Sequence, residues 1–375
     1  MKSYNHLWEK YLTAENYLDA VKNATAHKSG KKAKYRIARR YRDNAEQLMS
    51  SMMEYAEHFK SAHHTPKEIY DGVRRKKRQI VVPNMKEQII HHMVVNVIKP
   101  IFMHSMYEHS YGSIPGRGAH MAKRRIEKWI RSGGRDVKYC LKMDVRKYFD
   151  SVPHDILKEK LAKLIHDERF LAVLFEIVDA VPAERGIPIG FYTSQWIANW
   201  YLTGLDHYIK EELGAKYYVR YMDDMVIFGG NKRSLHETRK AVDTYLQERL
   251  GLQLKDNWQV FLFSYTKKDG TEVGRDLDFM GFRFFRSKTI LRKALMLKAT
   301  RKARRICRKG AAKNIHDIRQ MLSYIGWLSA TDTYGMYQHF IKPFVSFHGM
   351  KRYAGRYQRR ENRRLLCGDT PKAAA

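Results

Sequence analysis

The chain has 375 residues, 44% of them hydrophobic and 12% aromatic, which is enough apolar surface for two or three packed subdomains. Its formal net charge of +32, from 71 Lys and Arg against 39 Asp and Glu, indicates a polyanionic partner, and nucleic acid is favoured over an anionic membrane surface. The absence of a long apolar run, a signal-peptide pattern or zinc-like cysteine spacing predicts a soluble, intracellular protein without structural zinc or disulfides.

The first seventy residues are predicted to form a basic helical extension. Aromatic and aliphatic residues recur there at helical spacing, and the segment Lys28–Arg42 carries eight Lys and Arg but no acid. This pattern is typical of a surface that faces RNA or a protein partner. A solvated helix face explains it about equally well.

The next segment begins with five consecutive cations, Arg74 to Arg78, which lead into a short β-branched strand that ends at Pro83. Cations on a strand can bind phosphates. Apolar residues at three-four spacing then predict a half-buried helix from Met85 to Met103, whose apolar stripe belongs to the core. A loop rich in Gly and Pro and a basic helix through Trp129 follow.

The middle of the chain is predicted to run strand, helix, helix, hairpin, helix, strand. The predicted elements are the strand Tyr139–Met143, a helix opened by Pro153, a helix from about Ser194 to Ile209, the strands Tyr217–Arg220 and Met225–Phe228, a helix from Leu235 to Leu250, and a strand near Leu252–Leu254.

Short strands are predicted over Val260–Phe263 and Leu277–Phe285, and the composition changes sharply at Arg286. From that residue to the end there are 22 Lys and Arg against four Asp and Glu. This last quarter of the chain is predicted to form a basic helical module that binds nucleic acid.

Three aspartates carry the predicted chemistry. Asp144 ends one apolar strand, while Asp223 and Asp224 lie in a tight turn between two others, so neighbouring strands of one sheet would bring them together. Clustered carboxylates repel unless cations neutralise them, and two Mg²⁺ ions about 4 Å apart serve this purpose in phosphoryl transfer. An Asp pair alone could be a solvated turn, so the specific signal is Tyr221-Met222-Asp223-Asp224 combined with Asp144.

These motifs resemble the reverse transcriptase family, and the resemblance covers most of the chain. It implies an α+β fold of the right-hand polymerase type, with fingers, a palm built on an antiparallel sheet with helices on one face, and a helical thumb. It also implies an RNA-directed DNA polymerase that uses two Mg²⁺ ions, with Mn²⁺ as a substitute. The implied divisions are 1–70 basic N-terminal extension, 71–135 fingers, 136–285 palm with part of the fingers interleaved, and 286–375 basic thumb and C-terminal tail.

The stretch Lys142–His154 resembles the family's first catalytic motif, which implies that Asp144 binds both metals and that the backbone of Val145 also contacts metal. The resemblance gives Asp223 and Asp224 the same catalytic and metal-binding role. It places Phe149 against the sugar, where a ring would exclude a 2′-hydroxyl group. A core position for Phe149 is the alternative, because Tyr148 is adjacent.

The stretch Arg78–Pro83 looks like the fingers motif that lies against the incoming nucleotide. Arg78 matches best, Arg75 is the fallback, and a purely electrostatic role for the cation run is the alternative. Tyr221 is also assigned to the nucleotide. The loop with Arg117 resembles a template-contacting loop, and Gly274–Phe284 resembles the hairpin that grips the primer. The residues assigned to nucleic acid are Arg117, Lys298, Arg301, Arg304 and Arg305.

The stretch Arg185–Gln195 is the most informative about subtype, since most reverse transcriptases have Gln immediately before its second Gly and Ser-Pro where this chain has Ser194-Gln195. The variant found here is similar to the reverse transcriptases of diversity-generating retroelements, which copy template RNA with frequent errors at adenine. Ile189, Gly190 and Gln195 are therefore assigned to the nucleotide site. Replacing an amide by an alkyl group removes directional hydrogen bonds to the incoming nucleotide. A packing variant of ordinary fidelity is the alternative.

The implied partners are template RNA, its cDNA or primer, deoxynucleoside triphosphates and a small basic accessory protein that is oligomeric, with no membrane. The implied location is the cytoplasm of a bacterial or archaeal host, with the gene carried by the host or by a phage. A group II intron-like or retron-like reverse transcriptase of ordinary fidelity is one alternative, against which Ile189 and Gln195 argue. A non-catalytic RNA-binding protein of the same fold is another, against which the intact Asp144, Asp223 and Asp224 argue.

Overall fold

The computed structural model describes residues 3–26, 28, 33–62, 64, 66–71, 76–180, 183–310 and 314–366. The chain divides into two compact units. One comprises Met1–Ala122 and Gly133–Phe261, and the other comprises Lys123–Ser132 and Leu262–Ala375. The four-part division made from the sequence stays a prediction. In the part of the chain that the structure describes, no helix is both long and apolar enough to cross a membrane.

The first unit begins with short helices that share one hydrophobic core with the long helix α5. Helix α5 is buried on more than its predicted stripe, because both α2 and α10 pack against it. Its start is set by a capping box, in which Asn84 and the fully buried Glu87 satisfy each other's backbone N–H groups. The helices are α1 (Leu7–Tyr11), α2 (Ala14–Thr25), α3 (Ala33–Asp43), α4 (Met49–Glu57) and α5 (Met85–Ser105).

The beginning of the chain is joined to residues far along the sequence. The backbone N–H of Tyr4 donates to the carbonyl of Leu164, and Asp167 Oδ2 accepts from the N–H groups of Leu7 and Trp8 at 2.8 and 2.7 Å. Burial acts to raise the pKa of the Asp167 carboxyl, but the backbone N–H groups of Trp8, Phe170 and Leu7 outweigh burial and lower it. The N-terminal helices are therefore part of the first unit's core structure.

A five-stranded sheet forms the centre of the first unit, in the order β3-β5-β6-β4-β7. β3 runs parallel to β5, whereas β5 pairs antiparallel with β6 and β6 pairs antiparallel with β4. The inner strands are buried on both faces, as their continuous apolar sequences predict. The strands are β3 (Ser110–Tyr111), β4 (Tyr139–Asp144), β5 (Tyr217–Tyr221), β6 (Asp224–Gly229) and β7 (Gln259–Leu262). A separate hairpin is made by β1 (Lys67–Asp71) and β2 (Lys76–Ile80).

Further helices connect these strands. They are α6 (Ala119–Ser132), α7 (Tyr148–Ser151), α8 (His154–Leu164), α9 (Glu168–Val178), α10 (Tyr192–Tyr201), α11 (Thr203–His207) and α12 (Lys232–Leu250), with a 3₁₀ turn at Gly134–Val137 and a π-helical turn at Tyr208–Glu212. Pro153 is the N-cap of α8, as predicted.

Two predictions of regular structure are wrong in detail. The helix expected from about Ser194 to Ile209 is interrupted at Leu202, after which α11 places Asp206 in the interior. The strand expected near Leu252–Leu254 is reduced to one bridge between Leu254 and Val145, flanked by a bond from the Arg146 N–H to the Gln253 carbonyl.

The second unit contains short antiparallel strands and basic helices. Within the segment predicted as short strands over Leu277–Phe285, and as a hairpin from the resemblance of Gly274–Phe284, the structure has two antiparallel strands. They are joined at Met280 and Gly281, both with positive φ, as a tight hairpin turn requires. Its elements are β8 (Tyr265–Thr266), β9 (Glu272–Val273), β10 (Leu277–Phe279), β11 (Phe282–Phe284), β12 (Thr289–Leu291), α13 (Lys293–Lys309), α14 (Ile315–Ser329), α15 (Tyr334–Phe340) and α16 (Phe347–Leu366). The tail predicted to begin after Arg364 is helical as far as Leu366, and the rest of it lies outside the described residues.

Candidate active site

The three aspartates singled out from the sequence are brought together at one end of the central sheet. Asp144 is the last residue of β4, and its partner on the antiparallel strand β6 is Asp224, the first residue of that strand. Asp223 precedes β6, and its carbonyl accepts a 3.4 Å bond from the N–H of Val145. The backbone thus brings these three aspartates and the Val145 peptide to the same end of the sheet.

The turn that carries Asp223 is a two-residue connection between β5 and β6. Tyr221 pairs with Asp224, so Met222 and Asp223 are its central residues. Met222 has a φ of 55°, a left-handed conformation that costs a non-glycine residue about 1 kcal/mol and persists only when its surroundings hold it. The Met222 N–H donates to the carbonyl of Tyr111 at 3.0 Å, which ties the turn to β3.

A lysine that the sequence did not single out lies at the same place. The ammonium of Lys255 contacts Asp144 Oδ2, and the Lys255 N–H donates to the Asp144 carbonyl at 2.8 Å. The other carboxylate oxygen, Asp144 Oδ1, is buried and has no hydrogen-bond partner among the described residues. A buried carboxylate oxygen without a partner is costly unless a cation or donor satisfies it.

The sequence left open which of the adjacent residues Tyr148 and Phe149 lies in the core. Tyr148 is 2% exposed and its hydroxyl donates to the carbonyl of Ala198. Phe149 is only partly buried and packs at the edge of the core, with its ring 5.7 Å from that of Tyr148. Because Tyr148 occupies the core position, Phe149 is left as the partly exposed ring of the pair.

The segment with Ile189 and Gly190 contacts the end of the β1–β2 hairpin. The N–H of Val81 donates to the carbonyl of Ile189 at 2.8 Å, and Ile189 itself is partly exposed. Gly190 has a φ of 124°, and a Cβ atom built there would stand 2.0 Å from the Val81 carbonyl oxygen. Glycine is therefore required at position 190 by both conformation and space.

The other residues assigned to the nucleotide lie on neighbouring elements of the first unit. Arg78 is exposed on β2, opposite Ile69, and Gln195 is exposed on the first turns of α10. Tyr221 is partly buried, and this burial raises the pKa of its hydroxyl. Arg75, the fallback for Arg78, lies outside the described residues.

The residues assigned to nucleic acid differ in their surroundings. Arg117 Nη1 donates to the carbonyl of Tyr107 at 2.9 Å, so this side chain also braces its own loop. In the second unit, Arg301, Arg304 and Arg305 are exposed on α13 while Lys298 is partly exposed. The assignments stay predictions.

A buried network of hydrogen bonds beside the turn was not predicted from the sequence. Arg220 and Asp206, both 0% exposed, form an ion pair with Nη2 to Oδ2 at 2.6 Å and Nε to Oδ1 at 2.8 Å. Arg220 is the one charged residue in the strand Tyr217–Tyr221, and this was the available signal, because such a residue needs a partner when it is buried. Asp206, which His207 follows directly, gave no comparable signal.

Comparison with known proteins identifies the family. A family model described as "Reverse transcriptase (RNA-dependent DNA polymerase)" matches residues 65–284. The chain belongs to the reverse transcriptase family. Among curated relatives, "Protein YkfC" of Escherichia coli (strain K12) is 26% identical over 145 residues, covering 36% of this chain and 38% of that protein. An "Uncharacterized 91 kDa protein in cob intron" of Schizosaccharomyces pombe is 28% identical over 142 residues, covering 36% of this chain and 17% of that protein.

The alignments thus span well under half the length of these relatives. Among solved structures, apo telomerase from Candida tropicalis gives a TM-score of 0.47 at 13% identity, covering 75% of this chain and 57% of that one. The family match and the sheet topology confirm the predicted α+β fold class of right-hand polymerases.

Reverse transcriptases normally use divalent metal ions, and the donors at the end of the sheet fit this requirement. Carboxylate and backbone carbonyl oxygens are the ligands that Mg²⁺ prefers, and Asp144 Oδ1 is a buried oxygen in need of a cation. Within the described residues, no three His, Cys, Asp or Glu side chains are already arranged around a common metal position. The Lys255 ammonium on Asp144 Oδ2 gives a physical reason, since it neutralises the carboxylate in this conformation.

Proposed function

We propose that the protein is the RNA-directed DNA polymerase of a diversity-generating retroelement, which makes error-prone, adenine-mutagenic cDNA from a template RNA. The observation that carries polymerase activity is the pairing of Asp144 with Asp224 across β4 and β6, with Asp223 in the adjoining turn. Three acids at one end of a sheet in a chain of net charge +32 need cations to hold them together. Membership in the reverse transcriptase family supports the same reaction.

Nucleotide addition joins the 3′-oxygen of the primer to the α-phosphorus of a deoxynucleoside triphosphate and releases pyrophosphate. When bound, two Mg²⁺ ions, or Mn²⁺ as a substitute, supply positive charge to the attacking oxygen and to the leaving pyrophosphate. Asp144, Asp223 and Asp224 hold that charge at the end of the sheet, together with the backbone carbonyl of Val145. The Lys255 ammonium contacts Asp144 Oδ2 and would have to leave that oxygen for it to hold a metal ion. The side chains orient the reactants, and none acts as the nucleophile.

Primer extension on an RNA template with Asp223→Asn and Asp224→Asn tests this activity. Each variant should lose Mg²⁺-dependent extension by about a thousandfold or more, because the lost carboxylate cannot hold its ion. Asp136→Asn is the matched control, since Asp136 forms only an exposed pair with Lys216 and its removal should leave extension unchanged. Extension that persisted in both site variants would show that Asp223 and Asp224 are not the catalytic carboxylates, whereas a wild-type protein that bound RNA but extended no primer would support non-catalytic RNA binding.

The retroelement subtype rests on Ile189-Gly190 and Ser194-Gln195. Ile189 is partly exposed beside the hairpin that carries Arg78, so its alkyl side chain takes the position where a Gln amide would offer hydrogen bonds to the incoming nucleotide. Loss of those bonds weakens the geometric check on the new base pair.

Sequencing of cDNA made on a template of defined sequence tests the subtype. The wild-type protein should misincorporate preferentially opposite adenine, and Ile189→Gln should lower that bias. Ile187→Val, a conservative change at a buried neighbour, should leave the error spectrum as it is. Equal error rates opposite all four template bases would rule out the subtype.

The proposed partners are template RNA with its primer or cDNA, deoxynucleoside triphosphates, and a small basic accessory protein. The exposed arginines of α13 and the basic helix α3 offer cationic surfaces for nucleic acid. We place the protein in the cytoplasm of a bacterial or archaeal host, encoded by the host or by a phage. A pull-down of the retroelement RNA with the protein, lost at high salt, would test this surface.

A second candidate is an intron-type reverse transcriptase of ordinary fidelity. The observation in its favour is the similarity to the S. pombe protein described as lying in the cob intron. The same cDNA sequencing separates the two candidates, since an intron-type enzyme should show a low error rate at every base.

A further inference from the structure

Arg220 lies directly beside the catalytic turn, and each nitrogen of its guanidinium group donates a hydrogen bond. Nε and Nη2 donate to Asp206, and Nη2 donates also to the Asn199 carbonyl at 3.0 Å. Nη1 donates to the carbonyl of Met222 at 2.9 Å. The side chain is completely buried, so these bonds replace all of its contacts with water.

Asp206 keeps the guanidinium in this orientation. Its Oδ1 accepts from the Tyr218 hydroxyl at 2.6 Å, and its Oδ2 accepts from the Ser110 hydroxyl at 2.8 Å, in addition to the two bonds from Arg220. Burial alone would lower the pKa of the Arg220 guanidinium, but the adjacent Asp206 carboxylate raises it above its usual value. The guanidinium therefore keeps its charge and its planar two-point pairing.

Asn199 extends the network to two other parts of the site. Its Nδ2 donates to the carbonyl of Gly112 at 3.0 Å and contacts the sulfur of Met222 at 3.2 Å. Asn199 belongs to α10, the helix that also carries Gln195. The network thus joins the catalytic turn, the loop after β3 and the helix that follows Gly190.

The bond to Met222 distinguishes Arg220 from an ordinary core ion pair. A buried ion pair can often be replaced by apolar residues with little loss of stability, so stability alone gives no strong reason for this pair. Met222, however, is held at a φ of 55°, and the next two residues are Asp223 and Asp224. A shift of the Met222 carbonyl would rotate the peptide that leads into Asp223.

We propose that Arg220 is a positioning residue, which fixes the Met222 carbonyl and so sets the geometry in which Asp223 and Asp224 receive divalent metal. This inference rests on the proposed polymerase activity for its kinetic readout, but its metal-binding readout stands without substrate. It assigns to Asp206 the role of orienting Arg220, and to neither residue any contact with substrate.

Arg220→Lys tests the proposal, because lysine keeps the charge but cannot donate to Asp206 and Met222 together. The Mg²⁺ concentration for half-maximal primer extension should rise about tenfold and kcat should fall by about tenfold or more, while KM for the nucleotide changes little. Mn²⁺ binding, followed by electron paramagnetic resonance without nucleic acid, should weaken by about the same factor.

Tyr218→Phe and Ser110→Ala are the matched controls. The first removes one bond to Asp206, the second removes one bond to Asp206 and one from Arg220 Nη2, and both leave the bond from Arg220 Nη1 to Met222. Both should lower the melting temperature without changing the Mg²⁺ dependence or Mn²⁺ affinity. All proteins are compared at a temperature where each keeps the wild-type circular dichroism spectrum.

The experiments distinguish failure of the proposed polymerase function from failure of the positioning role of Arg220. If the wild-type protein binds Mn²⁺ but extends no primer, the proposed function fails while the weaker Mn²⁺ binding of Arg220→Lys still supports positioning. If Arg220→Lys matches the two controls in metal dependence, or has no temperature at which it is folded, the role of Arg220 is structural and the positioning proposal is overturned.

Discussion

The carbonyl oxygen of Val81 lies so close to Gly190 that a single added methyl group would stand 2.0 Å from it. Val81 follows the strand that carries Arg78, and its N–H donates to the carbonyl of Ile189. The hairpin with Arg78 and the segment with Ile189 are therefore in direct backbone contact, and a change in one must move the other.

Gly190→Ala should force this contact apart. The positive φ and the close carbonyl together should cost about 1–3 kcal/mol, and primer extension should slow because the hairpin with Arg78 is displaced. Chemical unfolding and primer extension measure the two effects. Gly355→Ala is the control, since a Cβ atom at this position of α16 meets no neighbour within 4 Å and should leave both unchanged or slightly raise stability.

Lys255→Met should destabilise the metal-free protein more than the metal-bound protein. Without Mg²⁺ the Asp144 carboxylate loses its ammonium partner, at a cost of about 1 kcal/mol, whereas saturating Mg²⁺ neutralises the carboxylate itself. Thermal melting with and without Mg²⁺ measures the difference. Lys158→Met breaks a comparable pair with Asp179, and its effect should not depend on Mg²⁺. An equal loss at all Mg²⁺ concentrations for Lys255→Met would contradict a shared site.

Phe149→Ala should admit ribonucleotides. Removal of the partly exposed ring opens space for a 2′-hydroxyl, so the preference for deoxynucleotides over ribonucleotides should fall by about tenfold or more. Single-nucleotide incorporation with each substrate gives the ratio. Tyr148→Phe, which loses the buried bond to Ala198, should lower stability and keep the preference. A ratio unchanged in Phe149→Ala would return Phe149 to a purely structural role.

The stability of the fold should fall as the pH falls below about 6.5. Burial, aided by the nearby His92 and His64, lowers the pKa of His91 to about 3, and burial with Lys28 lowers that of His92 to about 4. The unfolded chain takes up these protons near pH 6.5 and the folded chain does not, so the stabilisation is complete above pH 6.5 and is lost as the pH falls toward these folded values.

His91→Gln should flatten this dependence. A neutral amide can still bond to the Thr193 hydroxyl, which His91 Nδ1 contacts at 3.0 Å, but takes up no proton. Between about pH 7.5 and about pH 5, the decrease in unfolding free energy should be smaller than in the wild type by about 2 kcal/mol. His6→Gln, which removes an exposed ring, is the control. Parallel profiles for His91→Gln and the wild type would show that another group causes the loss.

The position of the three aspartates was predictable because its signals are local. Asp144 ends a strand whose apolar run is visible in the sequence, and a two-residue turn with Asp223 joins two further runs of the same kind. The antiparallel pairing of these strands is then sufficient to bring Asp144 opposite Asp224. The interrupted helix at Leu202 was missed because its apolar spacing continues through the break.

The long-range partners were not predictable in the same way. Lys255 and Asp144 are 111 residues apart, and Arg220 donates a hydrogen bond to Ser110, which is 110 residues away in the sequence. Hydrophobic periodicity specifies which face of an element is buried but not which polar groups meet there. The first pair depends on how the segment after α12 meets the end of β4, and the second depends on how β3 pairs with β5.

The bonds that join Tyr4 and Leu7 to the segment Leu164–Asp167 also constrain the order in which the chain folds during its synthesis. Tyr4 forms a bridge with Ile165, and Leu7 bonds to Asp167 across 160 residues of sequence. During translation the backbone groups at the start of the first helix lack these partners until the ribosome has released the segment Leu164–Asp167. Closing so long a loop makes this a late step in folding, and the nascent chain is open to aggregation or to chaperone capture until it occurs.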